Sequence, residues 1–188
     1  MDSTPEIQNL LEQIEELKTQ LSVARRERQP EPVADYDLHN SDGSTVRLSE
    51  LFGEKRDLLV VHNMGKGCAY CTMWADGFIG ALPHLQDRAA FVLVTPDKPE
   101  VQTEFAASRN WPFRMVSGAG SDFIKAMGYE GEDGYWPGIS AFHLNDDGSI
   151  VRTGNDVFGP GDDYCAPWRM FDLLQSGAGD WDPKYRYS

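Results

Sequence analysis

Asp57-Leu58-Leu59-Val60-Val61 and, six residues on, Gly67-Cys68-Ala69-Tyr70-Cys71 set a short apolar run against two closely spaced cysteines. The run reads as a buried strand. The stretch after the cysteines reads as a helix, with Met73, Trp74, Phe78, Ile79, Leu82 and Leu85 on its apolar side and Gly77, Gly80 and Pro83 expected to bend it. A helix N-terminus carries unpaired N–H groups and partial positive charge. A sulfur placed there is favoured as thiolate, which makes Cys68 the expected nucleophile. The two-residue spacing lets Cys71 reach back and close a short, redox-active disulfide ring.

Working outward, Ala90-Phe91-Val92-Leu93-Val94-Thr95 is a second apolar strand. Both strands are apolar throughout, as expected where helices cover both faces of a sheet, and the crossover between them makes them parallel. Asp97 is placed to cap the next helix, with Glu100 three residues on completing a capping box. Phe113 to Val116 is a short strand, and Ser121 caps a small helix that stops at Gly128. Ile139 to Leu144 and Ser149 to Arg152 flank the turn Asn145-Asp146-Asp147-Gly148 and pair as an antiparallel hairpin. A closing helix is expected over Ala166 to Gln175, and the aromatic tail from Trp181 to Tyr187 is expected to pack back on the body.

Toward the N-terminus, Asp35 to His39 and Thr45 to Leu48 form a hairpin about Ser41-Asp42-Gly43-Ser44, followed by a helical turn at Ser49 to Gly53. Before it, Pro5 to Arg28 reads as one long helix. Ile7, Leu10, Leu11, Ile14, Leu17, Leu21 and Ala24 recur at three- and four-residue spacing, as in a coiled coil. That stripe fits either packing on its own domain or a homodimer through residues 5–28. Gln29-Pro30-Glu31-Pro32 then reads as a stiff linker, dividing the chain into a helical arm, 1–30, and a body, 31–188.

The chain has 188 residues, 40% of them hydrophobic and 11% aromatic, enough to build one cored domain with an appendage. The net charge of −13 opposes nucleic acid, whose phosphates need Lys and Arg, and opposes anionic membranes. Three cysteines do not make a secreted disulfide scaffold, and the acidic N-terminus lacks a basic segment leading into an apolar core. The expected compartment is therefore the cytoplasm. No organic cofactor is expected, because no Gly-rich nucleotide loop is present.

The order of elements, with Cys-x-x-Cys after the first central strand and Trp136-Pro137-Gly138 before the strand at Ile139, resembles the thioredoxin fold. The implied architecture is an α/β three-layer sandwich: a central mixed sheet, helices on both faces, an extra N-terminal hairpin and a long N-terminal helix. The hairpin resembles the peroxiredoxin-related branch. The runs from Cys68 to Leu85, Ser117 to Phe123 and Pro137 to Phe142 resemble the bacterial thioredoxin-like family catalogued as domain of unknown function 899. The resemblance implies that Pro137 is cis and faces the dithiol. Gly67 stands where thioredoxins carry Trp, and His62 where they carry a buried Asp.

These residues point to thiol–disulfide exchange with a protein disulfide or a small thiol compound, re-reduced by an upstream dithiol. Cys68 attacks, Cys71 resolves, and His62 is a candidate proton acceptor for Cys71. Tyr70, Trp136, Pro137 and Gly138 are the candidate substrate-binding residues, and Lys66 a candidate charge partner for the thiolate. A thiol-dependent peroxidase is the alternative. Peroxiredoxins place Thr or Ser three residues, and Pro seven, before their reactive Cys. Here Gly65 and Val61 precede Cys68 at those places, and Cys68 and Met64 precede Cys71. A third reading is a redox-sensing or zinc-binding interaction module. As a zinc site it would draw its other half from Cys165 plus His62, His84 or His143. Cys165 itself reads best as a small buried residue at a helix start.

Overall fold

The computed structural model describes residues 4–187. A long helix α1 (Pro5–Glu27) opens the chain, followed by strands β1 (Glu31–Val33), β2 (Asp37–His39) and β3 (Thr45–Arg47) and a 3-10 turn at Leu48–Phe52. Then come β4 (Asp57–His62), α2 (Ala69–Arg88), β5 (Ala90–Thr95), α3 (Pro99–Arg109), β6 (Arg114–Ser117) and α4 (Phe123–Ala126). The small strands β7 (Glu130–Gly131) and β8 (Gly134–Tyr135), then β9 (Gly138–Leu144), β10 (Ile150–Val157) and α5 (Ala166–Phe171), complete it. Eight strands form one mixed sheet in the order β1-β10-β9-β4-β5-β6-β2-β3. As expected, β4 and β5 run parallel, and β9 pairs antiparallel with both β4 and β10.

Side chains alternate across a strand, so the sheet separates two cores. Leu58, Val60, Val92, Val94 and Phe142 pack with Phe123, Tyr129 and the N-terminal hairpin on one face. Val61, Phe91 and Leu93 pack on the other face with Cys71, Trp74, Ala75 and Leu82 of α2 and Trp168 of α5. Each fully buried side chain of this size contributes about 1.5–3 kcal/mol. Helix α2 continues through Gly77, Gly80 and Pro83 to Arg88.

Two expectations change and one element is new. The proposed linker at 29–32 ends in a strand: Glu31–Val33 pairs with β10, and Pro32 is tolerated because β1 is an edge. The β7–β8 hairpin had no sequence signal. The closing helix stops at Phe171 rather than reaching Gln175.

Helix α1 buries none of its side chains. Ile7, Leu10, Leu11, Ile14, Leu17 and Leu21 are 45–62% exposed. The helix meets the body through charge instead: Lys18 pairs with Asp163, Arg25 with Asp156, and Arg28 with Glu31. The apolar stripe is therefore not packed on its own domain. Residues 1–3 and 188, at the outer ends of the arm and the body, lie outside the described residues. Among the described residues, no helix is long and apolar enough to cross a membrane.

Candidate active site

Cys68 is the N-cap residue of α2, in extended backbone, and its Sγ accepts the N–H of Cys71 at 3.0 Å. The sulfur occupies the place a Ser or Asp oxygen usually takes at a helix start. Its backbone C=O accepts from both Thr72 N and Thr72 Oγ1, which fixes the first turn. Cys68 is half-buried and Cys71 is buried; both are free thiols.

The two sulfurs titrate apart. The Cys71 thiol donates to the Cys68 sulfur, and the N–H groups of Cys71 and Tyr70 add to it, so Cys68 falls to about 7 despite partial burial. The same contact, together with burial, pushes Cys71 up. Near pH 7 the Cys68 sulfur is thus about half thiolate, while Cys71 keeps its proton. Lys66 is exposed and is not among the groups that lower Cys68.

The loop before Cys68 is tied down by residues that the sequence reading passed over. Asn63 is buried at the end of β4, where its Oδ1 accepts from Gly65 N at 2.8 Å and its Nδ2 donates to the Cys71 carbonyl. Met64 N–H donates to Cys71 Sγ at 3.4 Å. Gly65 adopts φ +95°, and a Cβ there would meet Asp97 Oδ2 at 2.7 Å. That carboxylate is drawn in because it accepts Lys66 N–H at 2.7 Å. Asp97 therefore does not cap α3 as expected; the N-cap is Lys98, with no side-chain bond. The Asn-x-Gly spacing of an Asx turn was the available signal for Asn63. For Asp97 there was none, because its partner is distant in sequence.

His62 does not join the dithiol. Leu58 and Val60 point to the core opposite α2, and His62 follows them by alternation. Its ring stacks on Tyr129 with centroids 3.8 Å apart and on Phe123 at 5.6 Å, and its Nε2 bonds Ser140 Oγ at 3.1 Å. Full burial drops it to about 3, so it is a neutral core side chain. The expectation that it accepts the Cys71 proton is corrected.

The candidate substrate-binding residues divide. Tyr70 lies between the cysteines, stacks on Trp168 at 6.1 Å and donates its hydroxyl proton to Asp182. Gly138 pairs with His62 across β9 and β4, so Pro137 stands at the sheet end from which the cysteine loop leaves. No peptide bond among the described residues is cis, so Pro137 is trans, against expectation. Its carbonyl accepts Phe158 N–H. Gly138 is required by packing: a Cβ would lie 2.3 Å from Asp156 O and 2.4 Å from the Tyr129 ring. Trp136 belongs to the β8 hairpin. It is half exposed, its indole sits over Gly131, and its backbone N–H donates to the Tyr129 carbonyl.

Cys165 is buried at the N-cap of α5 and pushed up to about 11 by burial, which keeps it a thiol near neutral pH. His84 is exposed and His143 is engaged by Asp57 at 2.7 Å. Among the described residues, no three His, Cys, Asp or Glu side chains are grouped to hold a metal ion.

Solved structures share the fold. A peroxidoxin BcpB from Mycobacterium tuberculosis superposes with TM-score 0.55 at 21% identity, covering 69% of this chain and 85% of that one. A PrxQ mutant from Xylella fastidiosa gives 0.54 at 18%, covering 70% and 89%. A peroxiredoxin-like protein from Aquifex aeolicus gives 0.52 at 11%, covering 68% and 74%. No curated protein matches. The profile of one bacterial family spans residues 6–186, the arm, the sheet and the cysteine helix together, and the chain belongs to that family: the bacterial proteins of unknown function designated DUF899.

Proposed function

We propose that this protein is a thiol–disulfide oxidoreductase. The Cys68 thiolate attacks a substrate disulfide R–S–S–R′, the S–S bond breaks, and R′S⁻ leaves and takes up a proton. Cys68 is now in a mixed disulfide and carries no charge. The largest cause that holds Cys71 protonated, its bond to the Cys68 sulfur, is then gone, together with that sulfur's charge, while burial remains. Cys71 loses its proton to solvent or the departing thiolate and attacks Cys68, releasing RS⁻. The product is the Cys68–Cys71 disulfide, two electrons having passed to substrate. An upstream dithiol of suitable potential restores the thiols. The observation that carries this reading is the placement of the two sulfurs at one helix N-terminus, Cys68 half-buried as the N-cap with its sulfur accepting the Cys71 N–H at 3.0 Å, and Cys71 buried behind it.

The reduced protein should consume one equivalent of hydroxyethyl disulfide and gain an intramolecular Cys68–Cys71 bond, read by mass spectrometry. Cys71→Ser should stall as a Cys68 mixed disulfide, and Cys68→Ser should be inert. Wild-type protein that leaves the disulfide untouched refutes the reading. The second reading, a thiol peroxidase, is supported by the same half-exposed thiolate. Cys68 would take oxygen from a hydroperoxide as sulfenic acid, releasing an alcohol, and Cys71 would condense with it, releasing water. Faster consumption of hydroperoxide than of disulfide would favour it.

As partner we propose a second copy of this chain. The stripe of α1 is uncovered, with Ile7, Leu10, Leu11, Ile14, Leu17 and Leu21 exposed, while Lys18 and Arg25 at its side are already paired with the body. Two such helices side by side bury both stripes.

A further inference from the structure

The chain beyond α5 returns to the dithiol. Trp181 packs on Trp168 at 5.9 Å and on Phe171 at 5.0 Å, and Trp168 in turn stacks on Tyr70. Asp182 accepts the Tyr70 hydroxyl. Three residues later, the Tyr185 ring sets its edge against Phe105 of α3, and its carbonyl accepts Arg109 Nη1 at 2.6 Å. Arg109 is anchored by a two-pronged pair with Asp76 of α2, which also accepts Trp111 Nε1. The segment therefore runs from α5, over the first turn of α2, to α3. The segment is thereby held against Tyr70, the residue between the two cysteines, at one end and against α3 at the other.

We propose that residues 181–185 form a strap over the dithiol that admits small disulfides and turns away disulfides embedded in folded proteins. This rests on the exchange reading above and names its substrate class. A small dialkyl disulfide needs only a narrow approach to Cys68. A protein disulfide brings backbone on both sides of its sulfurs, and that space is held by Asp182 and Tyr185. The strap is tied to the body by a hydrogen bond to Tyr70, one to Arg109, the packing of Trp181, the burial of Pro183 and the Tyr185–Phe105 ring contact; Asp182 and Tyr185 themselves are exposed, so single substitutions there cut a side-chain tie without opening the core.

The test uses the full-length reduced chain and two separate variants, Asp182→Ala and Tyr185→Ala. Cys68 is alkylated with iodoacetamide and with a maleimide carrying a polyethylene glycol polymer, and reduction of hydroxyethyl disulfide is compared with reduction of insulin. Each variant should raise the polymer reaction and the insulin rate about tenfold, while the two small reagents change less than about threefold. A tenfold gain corresponds to ~1.4 kcal/mol. Equal change for large and small reagents, or no change in either, overturns the strap. The alkylation comparison needs no exchange activity. A wild-type protein that discriminates by size but reduces neither disulfide would sink the exchange reading and leave the strap standing.

Discussion

Replacing Cys71 by Ala removes the S–H donor that contributes most to the low value of Cys68, which is about 7. The backbone N–H of Cys71 stays in place, 3.0 Å from the sulfur, so the thiolate is not wholly abandoned. A hydrogen bond to a charged group is worth about 1.5–3 kcal/mol, and at this half-buried sulfur the lower end applies. At ~1.36 kcal/mol per pH unit, the midpoint of Cys68 reactivity should rise by about one unit. At pH 7 the thiolate fraction then drops from about a half to about a tenth. The more basic thiolate is also about threefold more nucleophilic, with a Brønsted slope of roughly 0.4–0.5. The net loss of iodoacetamide reactivity at pH 7 is therefore only about twofold, whereas above pH ~9 the variant reacts about threefold faster than wild type. The two profiles cross near pH ~7.5. The assay is the rate of Cys68 alkylation, followed peptide by peptide between pH 5 and 10. Superimposed profiles, or a variant slower at every pH, would refute the hydrogen-bond account of the activated sulfur.

Gly65→Ala forces a positive-φ alanine against the Asp97 carboxylate and should cost about 1–3 kcal/mol in urea unfolding, whereas Gly67→Ala, which meets nothing within 4 Å, should be nearly neutral. His62 is neutral in the fold down to about 3. The unfolded chain takes up its proton below the ordinary value, so this group's contribution is intact above about pH 7 and declines as pH falls. Between pH 7 and 5 it should account for about 2 kcal/mol, a loss that His62→Phe removes from the pH dependence of unfolding. Full-length chain should sediment as a dimer, and the double substitution Leu10→Glu with Leu17→Glu, at exposed positions of α1, should sediment as a monomer without loss of fold.

The central strands and the cysteine helix were legible because Asp57–Val61 and Ala90–Thr95 are continuous apolar runs, and because the cysteine pair stands between such a run and a helical pattern. The face of His62 was also written in the sequence: counting in twos from Leu58 turns it away from any helix that packs on Val61. Its chemistry obscured that parity, since a histidine six residues before a cysteine invites a catalytic role. Other features were hidden by ordinary causes. Pro32 disguised an edge strand, and β7 and β8, two residues each, offer no period to detect. Asp97 sits where a helix cap belongs, yet it serves a loop thirty residues earlier. The strap has no periodicity at all, because it is held by one acceptor, one carbonyl and a few rings. Distant pairings of that kind are set by the folded backbone and leave no local mark.

The bare apolar stripe of α1 gives the chain an unusual response to salt. Two copies, each with a net charge of −13, repel one another over long range at low ionic strength. Added salt shortens that reach to roughly 8 Å near physiological strength, while the gain from hiding leucine and isoleucine side chains is undiminished. Self-association should therefore tighten as electrolyte is added, opposite to an interface held chiefly by charge.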